Sequence, residues 1–425
     1  MTTVARGAAP REAALEILAA TRRGELFDIA RDRAVAGLPE RDRRLAQEIA
    51  AGVLRHRRTL DERLRRAVAR RWGKTPADLR DVLRIGLYQL TELGRVPPHA
   101  AVGTTVEMAK SRHGARSGAF VNAVLRRTLR EPATDERPAA GRGTPAQRLA
   151  AQYSHPDWLV TRWWRRFGPD ETERLLRHNN TRPPLWLQPA RWTRAAIVAA
   201  AGRAGVSVEA PADHTGLIAR VRRPAEVPGF GEGAFVVQGP AQALLIERAG
   251  LMEGSRVWDA CAAPGGKTAV LARSMRMIAS DRAGIRLQRL RETLRRAAPG
   301  AIVFAADARY PPIREGAVDA VWLDAPCSAT GTMARHPDAR WRLGPRRLTA
   351  LVALQETLLD AVARVVPRGG VLVYTTCSLE PEENETQVDE FLKRHAGLQH
   401  RQPDVFVFPP DTGADGGYLA VLVRT

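Results

Sequence analysis

Only three cysteines occur in 425 residues, Cys261, Cys327 and Cys377, and none lies before residue 260. An odd count with no C-x-x-C spacing excludes a zinc knuckle and a disulfide framework. Neither a metal site nor an oxidising compartment is expected, and the chain reads as cytoplasmic. Long apolar runs are also missing. No stretch approaches the ~20 residues that span a bilayer, and the opening MTTVARGAAPREAALEIL lacks the apolar core of a signal peptide. A membrane is therefore excluded as partner. Acid is in short supply, with 46 Asp and Glu against 66 Lys and Arg, a formal net charge of +20. The basic residues run along most of the chain instead of forming a tail, and such a surface attracts polyanions, nucleic acid first. There is no internal repeat, and the length exceeds what one core serves, so two or three domains are expected.

What is present falls into four segments. Residues 1–130 read as helix throughout: REAALEILAATRRG, RLAQEIAAGVLRHRRTLDERLRRAV and ADLRDVLRIGLYQLTEL repeat apolar residues at the helical period, predicting an arginine-faced bundle. Residues 131–148, EPATDERPAAGRGTPAQR, have no periodic face and read as a linker. Residues 149–235 hold Trp158, Trp163, Trp164, Trp186 and Trp192 interleaved with Arg162, Arg165, Arg166, Arg182 and Arg191. Such a mixture can stack unpaired bases and neutralise phosphate, or it can fill a small α+β core. From 236 to 425 short apolar strands alternate with amphipathic helices, the pattern of a parallel sheet covered on both faces. The last stretch, DVFVFPPDTGADGGYLAVLVRT, has no room for a crossover helix and is expected to close as a hairpin at the sheet's edge.

In an open parallel sheet, ligands bind outside the carboxyl ends of the strands. DACAAPGGKT follows the first strand of the last segment, and Gly265 and Gly266 let backbone approach a ligand closely there. The spacing matches neither G-x-G-x-x-G nor G-x-x-x-x-G-K-[ST], which disfavours a dinucleotide and a nucleoside triphosphate. Asp281 ends the second strand, about 20 residues beyond Asp259, where an acid accepts from ribose hydroxyls. Asp307 ends the third. Each alone would be an ordinary cap or turn residue; together they favour a nucleoside cofactor.

The fourth and fifth strands end in LDAPCSATG and YTTCS. One buried cysteine needs no special account, but two at matching strand ends, one of them three residues after an acid, call for chemistry. A thiolate is a strong nucleophile. Carbon 5 of a pyrimidine becomes nucleophilic once a thiolate adds to carbon 6, an acid at ring nitrogen 3 stabilises the charge formed, and a base must then remove the carbon 5 proton. The residues alone do not choose between Cys327 and Cys377.

The blocks DACAAPGGKT, LDAPCSATGTMARHPDARW and YTTCSLEPEENE resemble the signatures of the RNA cytosine C5-methyltransferases, which use S-adenosyl-L-methionine. LRIGLYQLTELGRVPPHAAVGTTVEMAK and FVNAVLRRTL are similar to the NusB-like domain at the front of one bacterial branch, RsmB (Sun or Fmu), which modifies small-subunit ribosomal RNA. The resemblance covers almost the whole chain. It implies an all-α NusB-like bundle at 1–130, a linker at 131–148, a small α+β RNA-binding domain at 149–235 and an α/β Rossmann-like methyltransferase domain at 236–425. It further implies that Cys261, Ala262, Ala263, Pro264, Gly265, Gly266 and Lys267 cradle the methionine part of the cofactor. Asp281 would take its ribose, Asp307 its adenine, and Asp324 would stand between cofactor and cytosine, stabilising the adduct. Cys377 would be the nucleophile and Cys327 would assist product release. The expected partner is 16S ribosomal RNA, free or in an early small-subunit particle, bound by a monomer. Two departures from the family stand out, Gln188 and Ala190 in PPLWLQPARW, and QGPAQALL at the opening of the catalytic segment. Two other readings are a transfer RNA cytosine C5-methyltransferase and a non-catalytic RNA-binding or ribosome assembly factor; cofactor binding separates the second from an enzyme.

Overall fold

The computed structural model describes residues 7–94, 96–130, 143–221 and 223–425. They form two compact units: residues up to Asn180 together with His336–Arg342, and Thr181–Arg335 together with Leu343–Thr425.

The first unit opens with α1 (Ala9–Arg22), α2 (Phe27–Ala34), α3 (Glu40–Arg55), α4 (Arg57–Val68), α5 (Ala77–Glu92), α6 (Pro98–His113) and α7 (Ala115–Arg130). Each turns an apolar stripe inward; in α1 Ala14, Leu15, Ile17 and Leu18 are all buried. Helix α5 is the exception that organises the rest, because Leu79 and every residue from Asp81 to Gln89 are buried. A helix buried on all sides belongs at the centre of a bundle. Gly86 lets its neighbours come close: a β-carbon there would lie 2.7 Å from Leu125 and 2.9 Å from Thr105.

Burying all of α5 also buries its charges. Arg84 donates to Asp61 at 2.6 and 2.9 Å and to Asp81 at 2.6 Å, and Arg22 reaches Asp81 as well. Burial opposes the Arg84 charge, but the two carboxylates outweigh it and the net direction is upward.

Two more helices complete this unit. A capping box, Thr144 with Gln147, starts α8 (Pro145–Gln152). The end of the expected linker is therefore helical, while its residues 131–142 lie outside the described residues. Helix α9 (Asp157–Asn179) bends at Gly168, φ 80°, just before Pro169. Trp163 within it is fully buried.

The second unit starts with β1 (Leu185–Pro189), α10 (Arg194–Arg203), β2 (Val208–Glu209), β3 (Leu217–Ala219) and β4 (Phe235–Val237). The strands form an antiparallel sheet in the order β2-β3-β1-β4. Trp186 is buried and Trp192 partly buried on Gly229. With Trp163, they act as packing side chains and not as open stacking surfaces. Gln188, one of the two departures in PPLWLQPARW, is buried too and accepts from Thr215.

The remainder of this unit runs α11 (Pro240–Arg248), β5 (Arg256–Asp259), α12 (Gly266–Leu271), β6 (Arg276–Asp281), α13 (Ile285–Ala297), β7 (Ile302–Ala305) and β8 (Ala320–Asp324). After α14 (Ala339–Arg342), which belongs to the first unit, come α15 (Pro345–Ala363), β9 (Val371–Thr376), α16 (Glu385–Arg394), β10 (Leu398–His400), β11 (Val405–Val407), α17 (Pro409–Thr412) and β12 (Gly417–Arg424). The sheet order is β10-β12-β9-β8-β5-β6-β7, parallel from β9 through β7. This is the Rossmann-like arrangement expected for the segment.

One expectation needs correction. Strands β11 and β12 do pair antiparallel, Val405 with Leu419, but β12 is no edge strand: it lies between β9 and β10. Its residues Gly417 to Leu422 are buried at six successive positions. Such a run needs cover on both faces, which an interior place supplies and an edge hairpin does not.

The buried charges of the helical unit give a test. Arg84→Ala leaves Asp61 and Asp81 without their shared cation, and breaking a buried ion pair from one side costs about 3–5 kcal/mol. Urea unfolding followed by circular dichroism should show the helical transition shifted by an amount of this order.

Candidate active site

Reversal of the strand order at β5 opens the crevice of this sheet: β6 lies on one side of β5 and β8 on the other. Chain leaving β5 and chain leaving β8 turn away from each other there, so side chains at their carboxyl ends face a shared space. Asp259, Asp281 and Asp324 are the last residues of β5, β6 and β8.

The turn after β5 is pinned by backbone bonds. Ala260 N donates to Trp322 O at 2.9 Å and Ala262 N to Ser280 O at 2.9 Å. Ala263 N donates to Asp281 at 3.0 Å, and the Ala263–Pro264 peptide is cis. Gly265 has φ 101°, the left-handed region open to glycine, and it allows α12 to begin at Gly266. Lys267, one residue into that helix, donates to Asp324 at 2.7 Å. Burial depresses the Lys267 ammonium, but Asp324 outweighs it and the net direction is upward, so the amine stays charged.

Asp259 sits beneath this turn. It is buried, accepts from Thr268 at 2.6 Å, and its other oxygen has no hydrogen-bond partner among the described residues. Burial pushes its carboxyl up to about 7, with Thr268 opposing. Cys261 lies close to the same acids; burial, then Asp281 and Asp259, push its thiol up.

The nucleoside-facing acids are held differently. Asp281 accepts four bonds, from Ala263 N, Arg282 N and two from Arg286 at 3.0 Å each. Asp307 lies two residues past Ala305, the partner of Asp281 in the β6–β7 register. Arg309 clamps it through two nitrogens, which draws its carboxyl downward.

Strands β8 and β9 bring the thiols together. Asp324 pairs with Thr375 in the parallel register, and Thr375 Oγ1 donates to Asp324 at 3.1 Å. Beyond that pair the two sulfurs, Cys327 Sγ and Cys377 Sγ, stand 3.3 Å apart. The bond between them, then burial, hold the Cys327 thiol well above its ordinary range. Gly331 makes the approach possible, since it donates to Cys377 O at 3.0 Å and a β-carbon there would sit 2.9 Å from the same oxygen.

The arrangement thus joins Lys267, Asp324, Thr375 and the thiol pair, with Asp281 behind the loop and Asp307 on the next strand. Several residues of this site escape a reading of the sequence. Thr268 and Thr375 are ordinary-looking members of their blocks, and Arg286 sits on α13 with no motif to mark it. Glu383, buried behind the cysteines, is one of several acids in LEPEENE. Thr375 is marked only by its place two residues before Cys377 in YTTCS; its pairing with Asp324 comes from the strand register.

A Rossmann-like sheet with acids after its first strands and a cation beside the switch point defines a methyltransferase domain. Family models agree along the chain: residues 249–420 match the 16S rRNA methyltransferase RsmB/F family, 8–130 the NusB family and 155–221 the RsmF/B-like ferredoxin-like domain. A protein named Probable ribosomal RNA small subunit methyltransferase B from Synechocystis sp. is 36% identical over 394 residues, 88% of this chain and 86% of its own. Ribosomal RNA small subunit methyltransferase B from Vibrio cholerae is 36% identical over 402 residues, 90% of each chain. The crystal structure of PH0851, 24% identical, superposes with a TM-score of 0.81 over the whole of both chains and shares the fold. The chain belongs to the RsmB/F methyltransferase family.

Asp259 provides a pH test. Its folded-state pKa of about 7 lies above the ordinary 3.8, so across that window the unfolded chain releases a proton that the folded chain keeps. Stability therefore falls as pH rises from about 4 to 7. Asp259→Asn removes this contribution, and its melting temperature should drop less than that of the wild type between pH 5 and pH 8.

Proposed function

We propose that this methyltransferase modifies carbon 5 of one cytosine in 16S ribosomal RNA through a covalent bond to Cys377. The observation that carries the reading is the pair of sulfurs 3.3 Å apart at the ends of adjacent parallel strands, beside the Lys267–Asp324 ion pair. The names of the curated relatives support ribosomal RNA as the substrate. The net charge of +20 suits any RNA. Ribosomal RNA as substrate makes this a cytoplasmic enzyme on the same reading; no helix among the described residues is long and apolar enough to cross a membrane.

S-adenosyl-L-methionine supplies an electrophilic methyl group when bound. The residues present fit it. Gly265 takes the left-handed backbone, φ 101°, that lets α12 begin at the half-buried Gly266 beside Lys267, and Asp281 is a buried acid whose Arg286 contacts are the ones ribose hydroxyls would replace. Cys261 through Lys267 would hold the methionine part, Asp281 the ribose and Asp307 the adenine. Residues 1–130 and 149–235 would serve as the RNA-binding parts and 236–425 as the catalytic domain.

On this reading the Cys377 sulfur bonds to carbon 6 of the cytosine, and the ring's electrons move toward carbon 5. Asp324 in its acid form gives nitrogen 3 the proton that the altered ring takes up, with Lys267 and Thr375 fixing the position of its side chain. Once carbon 5 carries the methyl group and a base has taken its proton, the carbon 6 to sulfur bond breaks and the thiolate leaves. Cys327 stands within reach to assist that release. The target base must leave its stack, which costs a few kcal/mol and favours unpaired RNA.

Cys377→Ala should abolish methylation of 16S RNA, and Cys327→Ala should accumulate a protein and RNA adduct on denaturing gels. Normal turnover by Cys377→Ala sinks the assignment. Bisulfite sequencing of ribosomal and transfer RNA from cells with and without the protein identifies the base; a change confined to transfer RNA overturns the ribosomal reading.

A further inference from the structure

Two thiols 3.3 Å apart pose a problem that the mechanism does not solve. Either sulfur could be the nucleophile by position, and both cannot ionise together at that separation. Something must make them unequal.

The asymmetric feature is Glu383. It lies on the turn Pro381–Glu383 after β9 and is fully buried. One carboxylate oxygen accepts from Ser328 N at 2.9 Å and from Gln355 Nε2 at 3.0 Å; the other accepts from Ser328 Oγ. Ser328 directly follows Cys327. Its hydroxyl lies 3.0 Å from that of Ser378, which directly follows Cys377. Gln355 also donates to Pro326 O at 2.9 Å, on the other side of Cys327, and Tyr374 donates to the backbone carbonyl of Glu383 at 2.7 Å. One carboxylate is thereby tied to the neighbours of both thiols, but it accepts from both the backbone and the hydroxyl of Ser328 beside Cys327, and from the hydroxyl alone of Ser378 beside Cys377, while its partner Gln355 holds Pro326 on the other flank of Cys327.

Charge follows the same asymmetry. No lysine or arginine pairs with Glu383 among the described residues, and its negative field falls on Cys327 and Tyr374. Lys267 of α12 lies within electrostatic reach of Cys377. Two other acids lie close by, Asp324 at the end of β8, already paired with Lys267, and Glu380, buried three residues past Cys377, while α15 contributes the uncharged Gln355.

We propose that Glu383 is a positioning residue for methyl transfer, which fixes the two thiol loops to each other and by its negative charge directs nucleophilic reactivity to Cys377 and away from Cys327. The inference rests on the role given to Cys377 above. It differs from that role in being testable without RNA or cofactor.

The experiment is alkylation by iodoacetamide of the full chain from pH 6 to pH 10, with each cysteine followed by peptide mass spectrometry. In the wild type Cys377 should react faster than Cys327 by about tenfold or more near pH 7, one pKa unit being a tenfold change in thiolate. In Glu383→Gln, which keeps the shape and loses the charge, the pH midpoint of Cys327 alkylation should move down and the ratio should fall by about fivefold or more. A purely structural role would raise the plateau rate of Cys327 through loosening of its loop and leave the midpoint in place, which overturns the proposal. Equal alkylation of both thiols in the wild type overturns it too. Should Glu383→Gln fail to fold, Gln355→Leu reads the same field with opposite sign: without the amide donor the carboxylate charge is less offset, and the Cys327 midpoint should rise. An unmoved midpoint there counts against the proposal. Wild-type preference for Cys377 with no methylation of any RNA would sink the methyl-transfer reading alone.

Discussion

The pairing of β8 with β9 sets the position of everything chemical in the second unit. Because the two strands run parallel with Asp324 opposite Thr375, both chains leave the sheet at one edge, and Ala325 N still donates to Thr375 O at 2.9 Å as they do. Cys327 then lies three residues past its register residue and Cys377 two past its own. A slip of one residue would turn one side chain to the opposite face of the sheet, and the sulfurs would part. Parallel pairing needs a long crossover, and α15 supplies it; the same helix sends Gln355 back to Pro326 O. The connection that makes the pairing possible also braces the loop that the pairing delivers.

Four acids meet around this edge, and each has been given a different environment. Asp324 is neutralised by Lys267, Asp281 by Arg286 and two backbone N–H groups, and Asp307 by Arg309. Asp259 has only a threonine hydroxyl and burial pushes it up to about 7. Four unscreened carboxylates so close to thiols would oppose every thiolate in the crevice. Pairing three of them removes most of that opposition, and the Lys267 that neutralises Asp324 also lies within electrostatic reach of Cys377.

How far the sequence discloses this site depends on what each residue does. Strand ends are legible because apolar runs such as VDAVWLDAP stop where the sheet stops, so Asp281, Asp324 and the cysteines could be placed before any coordinates. The two thiols' nearness was legible only as matching strand ends; their contact follows from the β8–β9 register, which spacing does not disclose. Interior placement of β12 depended on a choice of neighbours that one strand's pattern cannot specify, although the unbroken apolar run GYLAVLV was a clue. Interleaved tryptophan and arginine in 149–235 left stacking surfaces and a packed core equally open; Trp163 and Trp186 are core, since a large aromatic ring is worth more buried than exposed. Glu383 was hidden by composition: LEPEENE looks like a solvated acidic run, and only the fold turns its first and third acids, Glu380 and Glu383, inward.

That inward turn is costly, and the cost is informative. A buried carboxylate without a cation loses several kcal/mol of hydration, which two or three hydrogen bonds recover in part. A leucine or methionine of similar size could close the same space at no such penalty, and the Ser328 and Ser378 hydroxyls could satisfy one another. If loop bracing were the sole requirement, the apolar or hydroxyl solution would serve. The carboxylate adds something those solutions lack, a fixed negative charge nearer one sulfur's loop than the other's, at a place where two chemically identical groups must behave differently.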